Sequence, residues 1–143
     1  MCTALFKRGL RNQSIQGAEP LSAKDQTMVG QACTLRYIPA REDLNPLSVF
    51  QDPLHPQRVA VEQCPAGYVM VMDSRKDTRA GSAGSILVTR MMVRGVAGIV
   101  TDGGFRDAPE TRARLLTQDH LRFRCAGGFT SGRVRRLFEG LKP

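Results

Sequence analysis

An α/β or α+β domain with a mixed sheet is the fold class this sequence predicts, and two observations predict it. Tyr68-Val69-Met70-Val71-Met72 and Val96-Ala97-Gly98-Ile99-Val100 are continuous apolar runs of strand length, as expected of strands buried on both faces. Between them Leu87, Val88, Met91 and Met92 fall at i, i+1, i+4 and i+5, on one side of a helix over residues 82–94 that Gly95 is placed to end. Strand, helix and strand in that order form a βαβ unit, with parallel strands and a right-handed crossover. A chain of 143 residues, 41% hydrophobic and 24% charged, has the size and composition of one domain with its own core. Neither a disordered chain nor a collagen-like repeat fits.

The remaining elements follow from local chemistry. Residues 4–10 read as the end of a helix loosened by Gly9, and residues 12–27, rich in Gln, Ser, Gly and Pro, read as loop. Residues 28–38 are the first solid strand. Its Val29, Cys33, Leu35, Tyr37 alternation, broken at 30–32, suits a strand with one side partly wet and a bulge. Residues 39–56 carry four prolines together with Glu42 and Asp43, which predicts an excursion over the surface able to cover a cleft. Residues 55–65 suit a short helix begun at Pro56 and stopped before Pro65, but Val59 and Val61 suit a strand equally. In open parallel sheets ligands sit outside the carboxyl ends of the strands, which here are Asp73-Ser74-Arg75 and residues 101–107.

The formal charge of +8 is unevenly spread. Residues 112–143 hold eight basic side chains (Arg112, Arg114, Arg122, Arg124, Arg133, Arg135, Arg136 and Lys142) against Asp119 and Glu139, a net of +6 that leaves +2 for residues 1–111. This predicts an organisational boundary near residue 111, with a domain over 1–111 and a basic tail over 112–143. In the tail, residues 121–125 alternate like a strand, and Val134, Leu137, Phe138 and Leu141 share one helical face. Such a short amphipathic segment docks on its own core, on a partner such as nucleic acid, or stays disordered.

No apolar run approaches the ~20 residues of a membrane span, and the N-terminus places its apolar residues before its charges, the reverse of a secretion signal. A cytoplasmic protein is expected. Cys2, Cys33, Cys64 and Cys125 include no C-x-x-C pair, so they read as reduced thiols, buried at Cys33 and Cys125, rather than zinc ligands.

Two segments are able to carry chemistry. The small residues Gly81-Ser82-Ala83-Gly84-Ser85 open the helix and leave backbone N–H groups free for a carboxylate or phosphate, although close packing around a capped helix start explains them equally. Arg106-Asp107 follows two glycines at a strand end, where a forked cation could bind an oxyanion and a hard carboxylate could hold Mg²⁺ largely through water. The same dipeptide also suits a surface ion pair or a cap, because Ala108-Pro109-Glu110 reads as a helix start.

Read together, Gly84-Ser85-Ile86-Leu87 and residues 94–107, Arg-Gly-Val-Ala-Gly-Ile-Val-Thr-Asp-Gly-Gly-Phe-Arg-Asp, resemble the RraA-like family, which groups the regulator of ribonuclease activity A with metal-dependent 4-hydroxy-4-methyl-2-oxoglutarate aldolases. The likeness is specific there and looser through residues 29–34 and 65–73, covering roughly residues 3–110. It implies a swivelling β/β/α, phosphohistidine-domain-like sandwich and a homo-trimer or hexamer with sites between subunits. By position, the resemblance makes Gly84, Ser85, Ile86 and Leu87 the substrate-binding turn, with the N–H groups of Ser85, Ile86 and Leu87 on a substrate carboxylate. Arg106 would bind the keto oxygen, and Asp107 would position Mg²⁺ or another divalent cation. The implied activity is a lyase acting on 2-oxo acids through a pyruvate enolate, by retro-aldol cleavage or by decarboxylation of oxaloacetate. The alternative is a non-catalytic regulator that binds a ribonuclease or an RNA-associated assembly. Ser85 stands where many aldolase members have an acidic residue. The arginine-rich segment after Glu110 reads unlike the family, so a truncated member with a divergent, frameshift-like tail is expected.

Overall fold

The computed structural model describes residues 2–12, 19–20, 27–41, 43–79, 81–107 and 122–125. The elements are α1 (Cys2–Lys7), β1 (Glu19–Pro20), β2 (Ala32–Arg36), a 3₁₀ turn (Leu47–Gln51), α2 (Pro56–Gln63), β3 (Val69–Asp73), β4 (Gly81–Ala83), α3 (Ser85–Val93), β5 (Gly98–Thr101), β6 (Gly104–Phe105) and β7 (Arg122–Cys125). The larger sheet runs β1-β7-β5-β3-β2, and β4 and β6 form a small parallel pair of their own. β3 lies parallel to β5 with Met70 opposite Ile99, and β2 lies parallel to β3 with Cys33 opposite Met70. β7 is parallel to β5 and antiparallel to β1, so the sheet is mixed, as the sequence predicts.

The two apolar runs form β3 and β5 around α3, the expected βαβ unit. Along them Met70, Met72 and Ile99 are fully buried, joined by Val88 and Met91 from α3 and by Val61 and Cys64 from α2. Each such side chain contributes about 1.5–3 kcal/mol by leaving water, and the unbranched methionines fill the irregular gaps. α2 and α3 are tied on their outer faces by Glu62, whose carboxylate receives Arg90 Nε and Nη2 at 2.7 and 2.8 Å and Arg94 Nη1 at 3.2 Å. The Arg90 guanidinium accordingly lowers the Glu62 pKa.

Several boundaries differ from the sequence reading, each for a backbone reason. The first strand covers 32–36 rather than 28–38: its register with β3 is unbroken, it begins where Val69 N–H donates to Gln31 O at 2.8 Å, and no bulge interrupts it. The open segment at 55–65 is a helix, with Pro56 in its first turn and the last N–H, that of Cys64, satisfied before Pro65. α3 begins at Ser85, not Ser82, because Gly81–Ala83 is drawn out to pair with β6 and Gly84 stays extended (φ −120°, ψ 176°). Gly95, at φ +75°, ends the helix as expected. Residues 101–107, expected as loop, contain β6.

Of the excursion expected over 39–56, residues 39–41 and 43–54 run over the surface, with Leu47 85% and Leu54 76% exposed, and Pro56 already belongs to α2. The strand expected at 121–125 is β7, while the helix start at 108–110 and the helical face at 134–141 lie outside the described residues. Cys64 is buried and Cys33 half-buried, both reduced, and nothing is described of the Cys125 side chain. No helix among the described residues is long and apolar enough to cross a membrane.

Candidate functional site

The carboxyl ends of β3 and β5 are held together by a buried acid. Asp102, 2% exposed just beyond β5, accepts the backbone N–H of Ser74 at 2.6 Å and of Lys76 at 2.9 Å. These bonds clamp a loop in which Arg75 and Lys76 both adopt left-handed backbone (φ +57° and +62°), a conformation non-glycine residues keep only where their surroundings enforce it. Three hydroxyls fill the space beside the clamp: Ser74 Oγ lies 2.5 Å from Ser82 Oγ, and Thr101 Oγ1 lies 3.4 Å from Ser82 Oγ. Thr101 Oγ1 also accepts the Gly103 N–H at 3.0 Å, which directs the chain into β6.

β6 brings Arg106 to β4. The Arg106 N–H donates to Ala83 O at 3.0 Å, and the Arg106 stem lies against Gly81. The next residue, Asp107, has a left-handed backbone (φ +58°), and its carboxylate meets the first turn of α3. Asp107 Oδ2 is 3.4 Å from Ser85 N and 3.5 Å from Ser85 Oγ, long contacts that leave the helix end open to a stronger acceptor. Gly84 offers no side-chain cap. A Cβ on Gly84 would lie 3.1 Å from Asp107 Oδ2 and 3.5 and 3.6 Å from two Arg106 guanidinium nitrogens, so only glycine keeps this space clear. Gly84, Ser85, Arg106 and Asp107 are thus brought together. Ile86 and Leu87 supply first-turn N–H groups, their side chains pointing elsewhere: Ile86 is 83% exposed and Leu87 packs on the core.

The arrangement can bind a small anion. It joins the positive end of a helix, whose Ser85 N–H makes only a long contact to Asp107 Oδ2, to a guanidinium that forks toward the same space. Among the described residues no three or more His, Cys, Asp or Glu side chains gather as a metal cage. One hard carboxylate beside an anion cradle fits Mg²⁺, which keeps most of its water and binds through one or two carboxylates plus substrate, and does not fit zinc.

Sequence reasoning missed the supports of this site. Tyr37 read only as part of a strand alternation, yet its hydroxyl donates to Ser82 O at 2.6 Å, and Gln57 Nε2 donates to the same carbonyl at 2.8 Å. Burial pushes the Tyr37 phenol pKa up, against the opposing hydrogen bond from Gln57, so it remains a donor. Tyr37 and Gln57 lie 45 and 25 residues from Ser82, beyond any local pattern. The one sequence signal was Thr101-Asp102, two polar residues at the end of an apolar strand.

The family model RraA-like, described as Aldolase/RraA, matches residues 1–135. Among solved structures the chain is similar to Streptomyces coelicolor RraAS2, titled an unusual member of the RNase ES inhibitor RraA protein family, at 28% identity and a TM-score of 0.62 over 94% of this chain. It spans only 59% of that protein. The RNA-processing inhibitor RraA from Thermus thermophilus shares the fold at 19% identity and a TM-score of 0.58, with 96% of this chain and 73% of that one covered. A Geobacillus kaustophilus structure titled S-adenosylmethionine:2-dimethylmenaquinone methyltransferase also shares the fold, at 22% identity and a TM-score of 0.58 over 87% of this chain and 68% of that one. Fold alone therefore does not choose an activity.

Proposed function

The chain belongs to the RraA-like family, and on that premise we propose that it is a divalent-metal-dependent lyase on 2-oxo acids, decarboxylating oxaloacetate and cleaving 4-hydroxy-4-methyl-2-oxoglutarate to release pyruvate as its enolate. The observation that carries this reading is the convergence of Arg106 and Asp107 on the open first turn of α3, across the space Gly84 keeps clear.

The substrate C1 carboxylate takes the N–H groups of Ser85, Ile86 and Leu87, which the helix leaves without partners. This orients the adjacent keto oxygen toward Arg106. When the bond between C3 and the departing carbon breaks, its electron pair passes into C2–C3 and negative charge grows on the keto oxygen. A guanidinium held by β6 stabilises that charge without having to reorganise. Asp107 would hold Mg²⁺, which when bound supplies Lewis-acid stabilisation of the same charge. Decarboxylation needs no base, whereas retro-aldol cleavage must also remove a hydroxyl proton. With Ser85 rather than an acid in the first turn and Asp107 assigned to the metal, the cradle has no second carboxylate among the described residues to take that proton, which favours oxaloacetate as the substrate. The working form proposed with it is a homo-trimer or hexamer, as the family resemblance implies, and a cytoplasmic one, as the sequence reading expects.

The test is pyruvate release from both acids, with Mg²⁺ and with chelator, on material sized by light scattering. Turnover that needs metal and falls at least a hundredfold in Arg106→Ala and Asp107→Ala supports the lyase. Metal-independent or variant-insensitive turnover contradicts it. A second reading is favoured by the 28% identity to the S. coelicolor protein, an unusual member of the RNase ES inhibitor RraA protein family: a regulator that binds a ribonuclease or its RNA-associated assembly. A folded oligomer that inhibits a ribonuclease and turns over neither acid supports that reading instead.

A further inference from the structure

We propose that Tyr37 and Gln57 are positioning residues for the anion cradle: by jointly holding the Ser82 carbonyl they set where Gly84 and Ser85 stand relative to Arg106. This rests on the reading of the Gly84–Ser85 turn as the substrate carboxylate site.

Ser82 is 4% exposed in the middle of β4, two residues before the cradle. Its carbonyl receives Tyr37 OH at 2.6 Å and Gln57 Nε2 at 2.8 Å, and Gln57 Nε2 also donates to the Tyr37 hydroxyl at 2.8 Å, closing a ring of three hydrogen bonds. Its hydroxyl is held from the other side, by Ser74 and Thr101. A carbonyl needs only one donor to be satisfied. Two donors from separate elements, the residue after β2 and the first turn of α2, fix the plane of the 82–83 peptide. The next carbonyl along the strand, Ala83 O, accepts the Arg106 N–H, and the chain then turns directly into Gly84. Neither Tyr37 nor Gln57 contributes a group to the cradle, and β2 and α2 carry no site residue. Their effect is therefore on where the two halves of the site stand, and so on how well a substrate carboxylate is held between them.

The test compares Tyr37→Phe, Gln57→Leu and the double variant with the wild-type chain. Val61→Ala serves as a control that thins the α2 core without touching Ser82. Each single variant leaves the Ser82 carbonyl one donor, so its effect is small, whereas the double variant leaves it none. Amide hydrogen exchange is read at Arg106, which donates to Ala83 O, and at Val88, which donates to Gly84 O. In the double variant both rise about tenfold, more than the product of the single effects, while Met70 and Ile99 stay protected. The KM for oxaloacetate rises by a similar factor with kcat falling less, because what is lost is substrate binding. Val61→Ala lowers stability and leaves KM unchanged. Exchange unchanged at Arg106 and Val88, or raised equally at Met70 and Ile99, overturns the proposal, as does a local rise with unaltered KM. If the wild-type chain turns over no oxaloacetate, the lyase reading fails, and the exchange comparison still decides whether Tyr37 and Gln57 hold the turn.

Discussion

Along the crossover from β3 through α3 to β5, Met70, Met72, Val88, Met91 and Ile99 are withdrawn from water, whereas along residues 38–54 Ile38, Leu44, Leu47 and Leu54 are all at least 64% exposed. Both stretches are rich in apolar side chains. They differ in order: the crossover repeats its apolar positions at strand and helix spacing, while Pro39, Pro46 and Pro53 deny the other stretch both spacings and remove backbone donors. The candidate site stands on the ends of the ordered stretch. A backbone fixed by a packed core can hold Asp107 and the Arg75-Lys76 pair in left-handed conformations that a loose surface segment would relax.

The sharpest way to break this comparison is to thin each region in turn. Ile99→Ala is expected to cost about 2–5 kcal/mol in urea unfolding, while Leu47→Ala stays within about 0.5 kcal/mol. Equal losses would mean that residues 38–54 are covered in solution and that the contrast does not survive assembly.

The same contrast explains what was legible in the sequence. The βαβ unit was readable because continuous apolar runs and helical spacing are local signals. Gly84, Ser85, Arg106 and Asp107 stood out as a small-residue helix start and a Gly-Gly-Phe-Arg-Asp strand end, but each segment equally suited a capped helix or a surface ion pair, and it was the family resemblance that joined them. The boundary of α3 was not readable: residues 81–83 look like a helix start until β6, more than twenty positions on, pulls them straight. The Tyr37–Gln57–Ser82 ring was invisible for the same reason, since each partner reads as ordinary in its own segment.

A smaller effect is expected at the loop end. A Cβ on Gly103 would come within 2.5 Å of Ser74 Cβ and crowd the Ser82 hydroxyl as well. Gly103→Ala should therefore cost about 1–3 kcal/mol by thermal or urea unfolding, since the buried hydroxyl cluster must shift. No loss would show that the junction of β5 and β6 is looser than the clamp implies.

Alkaline titration sharpens the comparison further. Burial, and then the neighbouring Cys33 thiol, push Cys64 up to about 12 from 9.0, and burial raises Tyr37 in the same direction. The unfolded chain gives up these protons first, so stability is intact below pH 9 and falls as pH rises toward 12. Unfolding free energies at pH 8 and pH 10.5 should show the fall, and Cys64→Ala should reduce its slope. A stability that rises over this range contradicts the burial of both groups.

The smallest effect belongs to the surface tie between helices. Glu62→Gln removes the ion pairs to Arg90 and Arg94, on a carboxylate about half exposed. A slight drop in melting temperature is expected at low salt, vanishing at high salt.

The claim that the first turn of α3 and Arg106-Asp107 form one site is tested most directly by titrating oxalate, a stable mimic of the pyruvate enolate, into the full chain with Mg²⁺ while following backbone amide resonances. The Ser85, Ile86 and Leu87 amides should shift together in the wild-type chain and lose that response in Arg106→Ala. Shifts confined to other residues, or an unchanged response in an Arg106→Ala, Asp107→Ala double variant, would contradict the account.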